Sequence, residues 1–333
     1  AILGLNAAAT TPMPNGANGV RLSGVTGATI GAPGVGNVIS GNNLAPATAD
    51  GIYVTGGGSH IIQSNLIGTN AVGASLGNYN AGIAVSGGTA IEIGGDGAGE
   101  GNTIANNGAD GVFIGGASSD ITVIGNSIVD NGALAIDLAG GSENAAGVTA
   151  NDVNDADSGP NDLLNTPELG TASASGGTIT VPYTLDVPAG TYRLEFFANP
   201  SGADPSGSGE LETVLDAVTV VHPGGGPQPG IVGLAGGAGT VVTATATRDD
   251  GGGSYGPTSE ASNAVTAVNA ASLSVVDSSQ RRSDLTAAGG VDPATPVSAL
   301  AGVAIDFGGG ADRLLGPALD ITDSTLSVGA WVY

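Results

Sequence analysis

The chain has 333 residues, a formal charge of −24, no lysine and no cysteine. That charge repels nucleic acid and anionic membranes, the missing cysteine rules out disulfide and thiol chemistry, and no run of about 18 apolar residues offers a membrane span. Glycine supplies 61 residues and aromatics only 3%, a composition that serves helix interiors poorly and implies a narrow β core with many turns.

The first half repeats itself. "GVRLSG" from Gly19, "GIYVTGG" from Gly51, "GIAVSGG" from Gly82 and "GVFIGG" from Gly111 line up, at a period of about 30 residues. "LAIDLAGG" from Leu134 is a weaker fifth copy. A second motif, Asn-x-Ile-x-x-Asn, interleaves as "NVISGN", "NLIGTN", "NTIANN" and "NSIVDN". A third short apolar piece, "ATIG", "HIIQ", "AIEIGG" or "ITVIG", completes each period. Each period thus predicts three short strands, alternating within themselves and separated by Gly and Asn. Stacking the periods places Ile39, Ile67, Ile104 and Ile128 in one dry column. It also predicts two asparagine ladders, Asn37, Asn65, Asn102 and Asn126 in one and Asn42, Asn70, Asn107 and Asn131 in the other, whose amides satisfy buried backbone groups. Residues 15–141, through "GNVISGN", "GIYVTGG", "NLIGTN" and "GNSIVDNGALAIDLAGG", resemble the right-handed parallel β-helix repeats of large secreted bacterial proteins of the pectate-lyase-like superfamily. The expected fold class is all-β, with a parallel β-helix over residues 1–150.

Residues 151–165, "NDVNDADSGPNDLLN", form an acidic junction. Asp152, Asn154, Asp155, Asp157, Asn161 and Asp162 offer hard oxygen ligands of the kind calcium takes. The loop lacks the closing Glu and the flanking helices of an EF-hand, so a calcium site and a solvated acidic joint both fit the residues.

Residues 166–269 change to longer alternating strands: "TITVPYTL", "TYRLEFFA", "VLDAVTVV", "TVVTATATRDD" and "SNAVTAV". "NDADSGPNDLLNTPEL", "YRLEFFANPSG" and "VVTATATRDD…TSEASNAV" resemble the module that often follows β-helices in bacterial surface proteins, which implies an immunoglobulin- or fibronectin-like sandwich. Residues 270–300 read as a linker. Residues 301–333, "GVAIDFGGGADRLLGPALDITDSTLSVGAWVY" at their core, resemble the first strands of a laminin-G- or concanavalin-like jelly roll. Leu326, Val328, Trp331, Val332 and Tyr333 form an apolar strand suited either to that domain or to donation to another subunit.

Catalytic chemistry is sparse. A lyase of the resembled superfamily uses a Lys or Arg base beside calcium-binding carboxylates, yet Arg21 is the sole basic side chain of the solenoid. Asp50 and Asp110 precede strand-opening glycines and read as turn residues, while Ala81 holds the equivalent place between them. Asp137 reads as a solvent-facing residue of the last coil. His60 and His222 have no partner in sequence reach and read as structural or exposed. The expectation is an extracellular structural or adhesive protein, assembling head-to-tail through open solenoid ends or strand donation, with calcium as its one candidate cofactor. A carbohydrate-active protein, either a polysaccharide lyase or hydrolase or a glycan-binding module, is the alternative. The opening "AILGLN" lacks the charged start of a secretory leader, so a secreted protein would be represented by a processed or internal piece.

Overall fold

The computed structural model describes residues 1–43, 49–270, 286–287 and 305–306. Fourteen strands build the solenoid. The first three coils hold β1 (Ile2–Leu3), β2 (Val20–Ser23) and β3 (Thr29–Ile30), then β4 (Val38–Ile39), β5 (Ile52–Thr55) and β6 (Ile61–Ile62), then β7 (Leu66–Ile67), β8 (Ile83–Ser86) and β9 (Thr89–Gly94). The next holds β10 (Thr103–Ala105), β11 (Val112–Gly115) and β12 (Ser119–Ile124), and the last holds β13 (Ser127–Val129) and β14 (Ile136–Leu138). They stack into three parallel sheets ordered β1-β4-β7-β10-β13, β2-β5-β8-β11-β14 and β3-β6-β9-β12.

Register follows the repeat. Ile39, Ile67, Ile104 and Ile128 sit opposite one another, and none is more than 1% exposed. Ile52, Ile83, Val112 and Ile136 form a second column, and Ile62, Ile93 and Val123 a third. Side chains of period two alternate between this dry interior and the outer faces. Corners are tight. Gly68 has φ +80°, and a Cβ there would collide with the Ala105 carbonyl of the next coil. The first strand, β1, lies outside the repeats named above. Its "ILGLN" parallels "LIGTN" at 66–70, and Ile2 and Leu3 pair with Val38 and Ile39.

After a 3-10 turn at Pro160–Leu163 the chain becomes antiparallel. The strands are β15 (Glu168–Leu169), β16 (Ser173–Ser175), β17 (Thr178–Leu185), β18 (Gly190–Ala198), β19 (Thr213–His222), β20 (Gln228–Ala235), β21 (Val241–Gly251), β22 (Ser254–Thr258), β23 (Val265–Thr266) and β24 (Val268–Asn269). One sheet centres on β17, flanked by β20 on one side and by β15 and β16 on the other, with β24 joining β16 in parallel. The other runs β19-β18-β21-β22, with β23 also on β21. Ile179, Val181 and Leu185 of the first share one core with Tyr192, Leu194, Phe196, Val242 and Ala244 of the second.

Beyond His222 a Gly/Pro loop over residues 223–227 leads into β20, a strand the sequence analysis did not name. Pro229 is tolerated because, among the described residues, β20 pairs only with β17. Gly230 is required because the Tyr183 ring lies across it where a Cβ would sit.

The junction loop is exposed at Val153, Asn154, Ala156, Ser158, Gly159 and Asp162, yet it is anchored at its end. Leu163, Phe197, Leu211 and Ala261, from the turn and the antiparallel region, belong to the buried cluster of the solenoid itself. Residues 1–269 form one compact unit, with its hydrophobic core continuous across residue 150. In the second unit, residues 270–333, the described strands β25 (Thr286–Ala287) and β26 (Ile305–Asp306) pair antiparallel. The remainder of the 270–300 linker and of the 301–333 segment, with Leu326, Val328, Trp331, Val332 and Tyr333, lies outside the described residues.

Candidate functional site at the solenoid junction

A stack of parallel strands ends on a row of unpaired amides and carbonyls. Here the final strand of each sheet, β13, β14 and β12, is met by residues from beyond the solenoid. On the first sheet, Ile128 and Leu211 exchange backbone bonds, at 2.8 Å from the Ile128 amide and 3.0 Å from that of Leu211. On the second, the Leu138 amide donates to Glu260 Oε1 at 3.0 Å, and Glu260 also accepts from the Thr149 amide at 2.9 Å. On the third, the Ile121 amide donates to Asn161 Oδ1 (2.7 Å), that of Val123 to Thr258 Oγ1 (2.9 Å) and that of Gly125 to Glu195 Oε2 (3.1 Å). Asn161 Nδ2 returns a bond to the Ile121 carbonyl at 2.8 Å, so its amide imitates one rung of a further strand. The open solenoid end expected at this edge is therefore occupied by the sandwich.

Of the six oxygen-bearing residues predicted as one metal set, three converge. Asp152, Asp155 and Asp157 bring carboxylate oxygens within 4.8 Å of one another. Asn165 staples the loop around them: its amide N donates to Asp155 Oδ1 at 2.7 Å, its Oδ1 accepts the Asp152 amide at 3.0 Å, and its Nδ2 donates to the Asp152 and Asp186 carbonyls. The other three residues go elsewhere. Asn161 is fully buried in the closure. Asp162 faces Arg248 at 4.0 Å, and Asn154 reaches Asp186 Oδ2 only through its backbone amide, at 3.1 Å. The sequence offers oxygen donors without saying which ones a positive-φ backbone will turn outward, and Asn154, Asp155, Asn161 and Asp162 all have positive φ.

The electrostatics of the triad are adverse to three bare carboxylates. Burial, joined by the charges of Asp157, Asp152 and Asp162 and opposed by the Asn165 amide, pushes the Asp155 carboxyl up to about 7. Burial and the Asp152 charge also raise Asp157. Asp157 Oδ1 and the nearby Asp186 Oδ1 are buried acceptors without a donor. Arg248, which faces Asp162, is engaged by Asp120 at 3.0 Å and Asp250 at 2.8 Å. Asp155 and Asp152 each accept one backbone amide, from Asn165 and Ala156, and converging hard oxygens fit a calcium-class ion, which takes about six to eight oxygens and would draw the rest from carbonyls and water.

The ladders run from coil to coil. Asn37, Asn65 and Asn102 donate Nδ2 to the Oδ1 of Asn65, Asn102 and Asn126, at 2.9, 3.0 and 2.9 Å. In the second ladder Asn42 donates to Asn78 (2.9 Å), Asn78 to Asn107 (2.8 Å) and Asn107 to Asn131 (2.9 Å). Asn70 is not a rung. It closes its own loop by accepting the Val72 and Ala74 amides, both at 3.1 Å. That loop delays the rung to "GNYN", and Asn78 was the residue to find.

Asp50 and Asp110 serve turns, accepting the Ala81 amide at 3.2 Å and the Leu134 amide at 3.1 Å. Asp137 continues an outer row across the second sheet, Arg21, Tyr53, Ala84, Phe113 and Asp137. The Arg21 guanidinium lies 5.8 Å from the Tyr53 ring centroid. Asp137 is half-buried rather than solvent-facing; burial first, then the charges of Asp110, Glu260 and Glu143, raise it to about 7. His60 points into the core at 1% exposure, with Nδ1 accepting the Ala28 amide and Nε2 unpartnered. His222 is buried, its ring bonded to the Leu185 carbonyl and the Gly224 amide.

Residues 9–167 match the family model described as a right handed beta helix region. The match takes in most of the solenoid and the junction loop and ends just before β15. That family holds both pectate-lyase-like enzymes and proteins that are not enzymes. No curated protein matches the sequence. Among the described residues no helix is long and apolar enough to cross a membrane.

Proposed function

We propose that the chain is a structural or adhesive module of an extracellular surface assembly, a solenoid rod whose last coil is locked to a sandwich and whose junction is stiffened by calcium. The observation that carries this reading is the pairing of a closed coil edge with three converging carboxylates on the strap that crosses it. The charge of −24 suits a medium rich in divalent cations. An immunoglobulin-like kinship for residues 166–269 belongs to the same reading. It is supported by two facing antiparallel sheets and by Tyr192, whose hydroxyl donates to the Pro188 carbonyl at 3.1 Å like a tyrosine corner. Head-to-tail stacking through the C-terminal solenoid edge is set aside, because Leu211, Glu260, Asn161 and Thr258 hold that edge.

Calorimetric titration with calcium tests the joint, comparing the parent with Asp155→Ala and Asp157→Ala. The reading expects heat and a raised thermal midpoint in the parent and neither in the variants. No heat and no shift in the parent would sink it. Electron microscopy at several calcium levels tests the assembly, and particles that stay single at every level would count against self-association.

A second reading, glycan binding or turnover, is favoured by the outer row of the second sheet. Tyr53 and Phe113 stand two coils apart with buried Ala84 between them, and a raised Asp137 closes the row. A panel of acidic and neutral polysaccharides, read by binding and by reducing ends or unsaturated products, discriminates. Binding lost in Tyr53→Ala and Phe113→Ala would establish it.

A further inference from the structure

The sequence holds four Asn-Gly dipeptides, at Asn15, Asn18, Asn107 and Asn131. Such a pair converts spontaneously when the glycine amide nitrogen, having lost its proton, attacks the asparagine Cγ. The new N–C bond closes a succinimide and expels the side-chain nitrogen as ammonia. Water then opens either carbonyl, leaving aspartate or isoaspartate. The reaction needs no oxidant and no enzyme. It does need a glycine amide free to attack and a side chain free to turn.

Three of the four pairs are held by the coil stack. The Gly19 amide donates to the Asp50 carbonyl at 3.0 Å, that of Gly108 to the Asn78 carbonyl at 3.0 Å, and that of Gly132 to the Asn107 carbonyl at 2.8 Å. Their asparagines are bound too. Asn18 Oδ1 accepts the Asp50 amide at 2.8 Å, and Asn107 and Asn131 are ladder rungs. Attack would break one backbone bond and one or more side-chain bonds together, so it waits on local opening. Asn15 differs in each respect. Its side chain is exposed, and among the described residues neither that side chain nor the Gly16 amide has a bonded partner. The space around Gly16 is open, with nothing within 4 Å of a Cβ placed there.

We infer that Asn15 is a self-modification site, converting to aspartate and isoaspartate in the folded protein while Asn18, Asn107 and Asn131 are preserved by the solenoid. Each event adds one negative charge beside Asn42, the first rung of the second ladder, whose Oδ1 faces the Asn15 amide at 3.5 Å. The full chain is incubated at mildly alkaline pH and mapped by peptide mass spectrometry, with isoaspartate scored by its methyltransferase. Conversion is expected at position 15 first, and at 107 and 131 only after denaturation. Gly16→Ala, which the open surroundings accept, is expected to slow conversion several-fold with an unchanged thermal midpoint. Conversion in the ladder before position 15, or an Asn15 that stays intact while a denatured control converts there, overturns the inference.

Discussion

In the solenoid, each ladder asparagine presents one donor to the coil after it and one acceptor to the coil before it, so Asn65, Asn102 and Asn126 complete one another. At the junction, Asp152, Asp155 and Asp157 present acceptors only, within 4.8 Å of one another. Both groups sit where backbone turns must be held. Neutral amides do this with no outside partner, because donor and acceptor travel on one side chain. Carboxylates gather charge that burial makes costly, and the site is left dependent on protons or a cation. The ladders therefore need no outside partner, while the junction is conditional.

Breaking a ladder should cost most. Asn102→Ala leaves the Ile62 carbonyl and the Asn65 amide without their partner, and at about 1–3 kcal/mol for each orphaned buried group it is expected to lose about 3 kcal/mol or more in a urea melt. Glu260→Ala removes the acceptor for Leu138 and Thr149, for a loss of about 2 kcal/mol. Glu260→Gln, which keeps an acceptor, should lose less by the same melt.

Three raised carboxyls, one in the junction and two outside it, respond to pH in the opposite sense to ordinary acid unfolding. Asp155, Asp137 and Glu210 are each raised to about 7, so the folded state binds protons more tightly than the unfolded chain. Their contribution is present below the unfolded values and is lost as pH rises through about 7. Without divalent cation, the thermal midpoint is expected to rise as pH falls from about 8 to about 5. His60, whose burial lowers its pKa, opposes this below its ordinary range, being one group against three. Calcium should flatten the Asp155 part of the profile, and Asp155→Asn should mimic that flattening. The smallest effect belongs to Asn154→Ala, an exposed loop side chain expected within about 0.5 kcal/mol of the parent and with undiminished calcium heat.

The repeat was legible because the same isoleucine recurs at one place in every coil, and stacking multiplies a weak local signal. Asn78 escaped because an eight-residue loop from Asn70 to Gly77 displaces the rung, so spacing alone picked the wrong asparagine. The closure was not legible. Glu195 on β18, Thr258 at the end of β22, and Leu211 and Glu260 just outside β19 and β22 are single scattered residues, and nothing local marks them as partners of Gly125, Ile128, Val123 and Leu138. The acids of the junction stood out by composition, yet composition could not separate Asn161, which caps β12, from the three aspartates that converge. The strand β20 was hidden by Pro229 and Gly230, whose placement makes sense only on a strand that pairs, among the described residues, with β17 alone and lies beside the Tyr183 ring.

If the sandwich completes the solenoid, the last coil is as protected as the interior. Native-state hydrogen exchange of the full chain, followed over residues 119–129 and 136–140, tests it directly. The amides of Ile121, Val123, Gly125, Ile128 and Leu138 are expected to exchange as slowly as those of β8, and Glu260→Ala is expected to release Leu138 selectively. Exchange of these amides at the rate of exposed loops in the parent would contradict it.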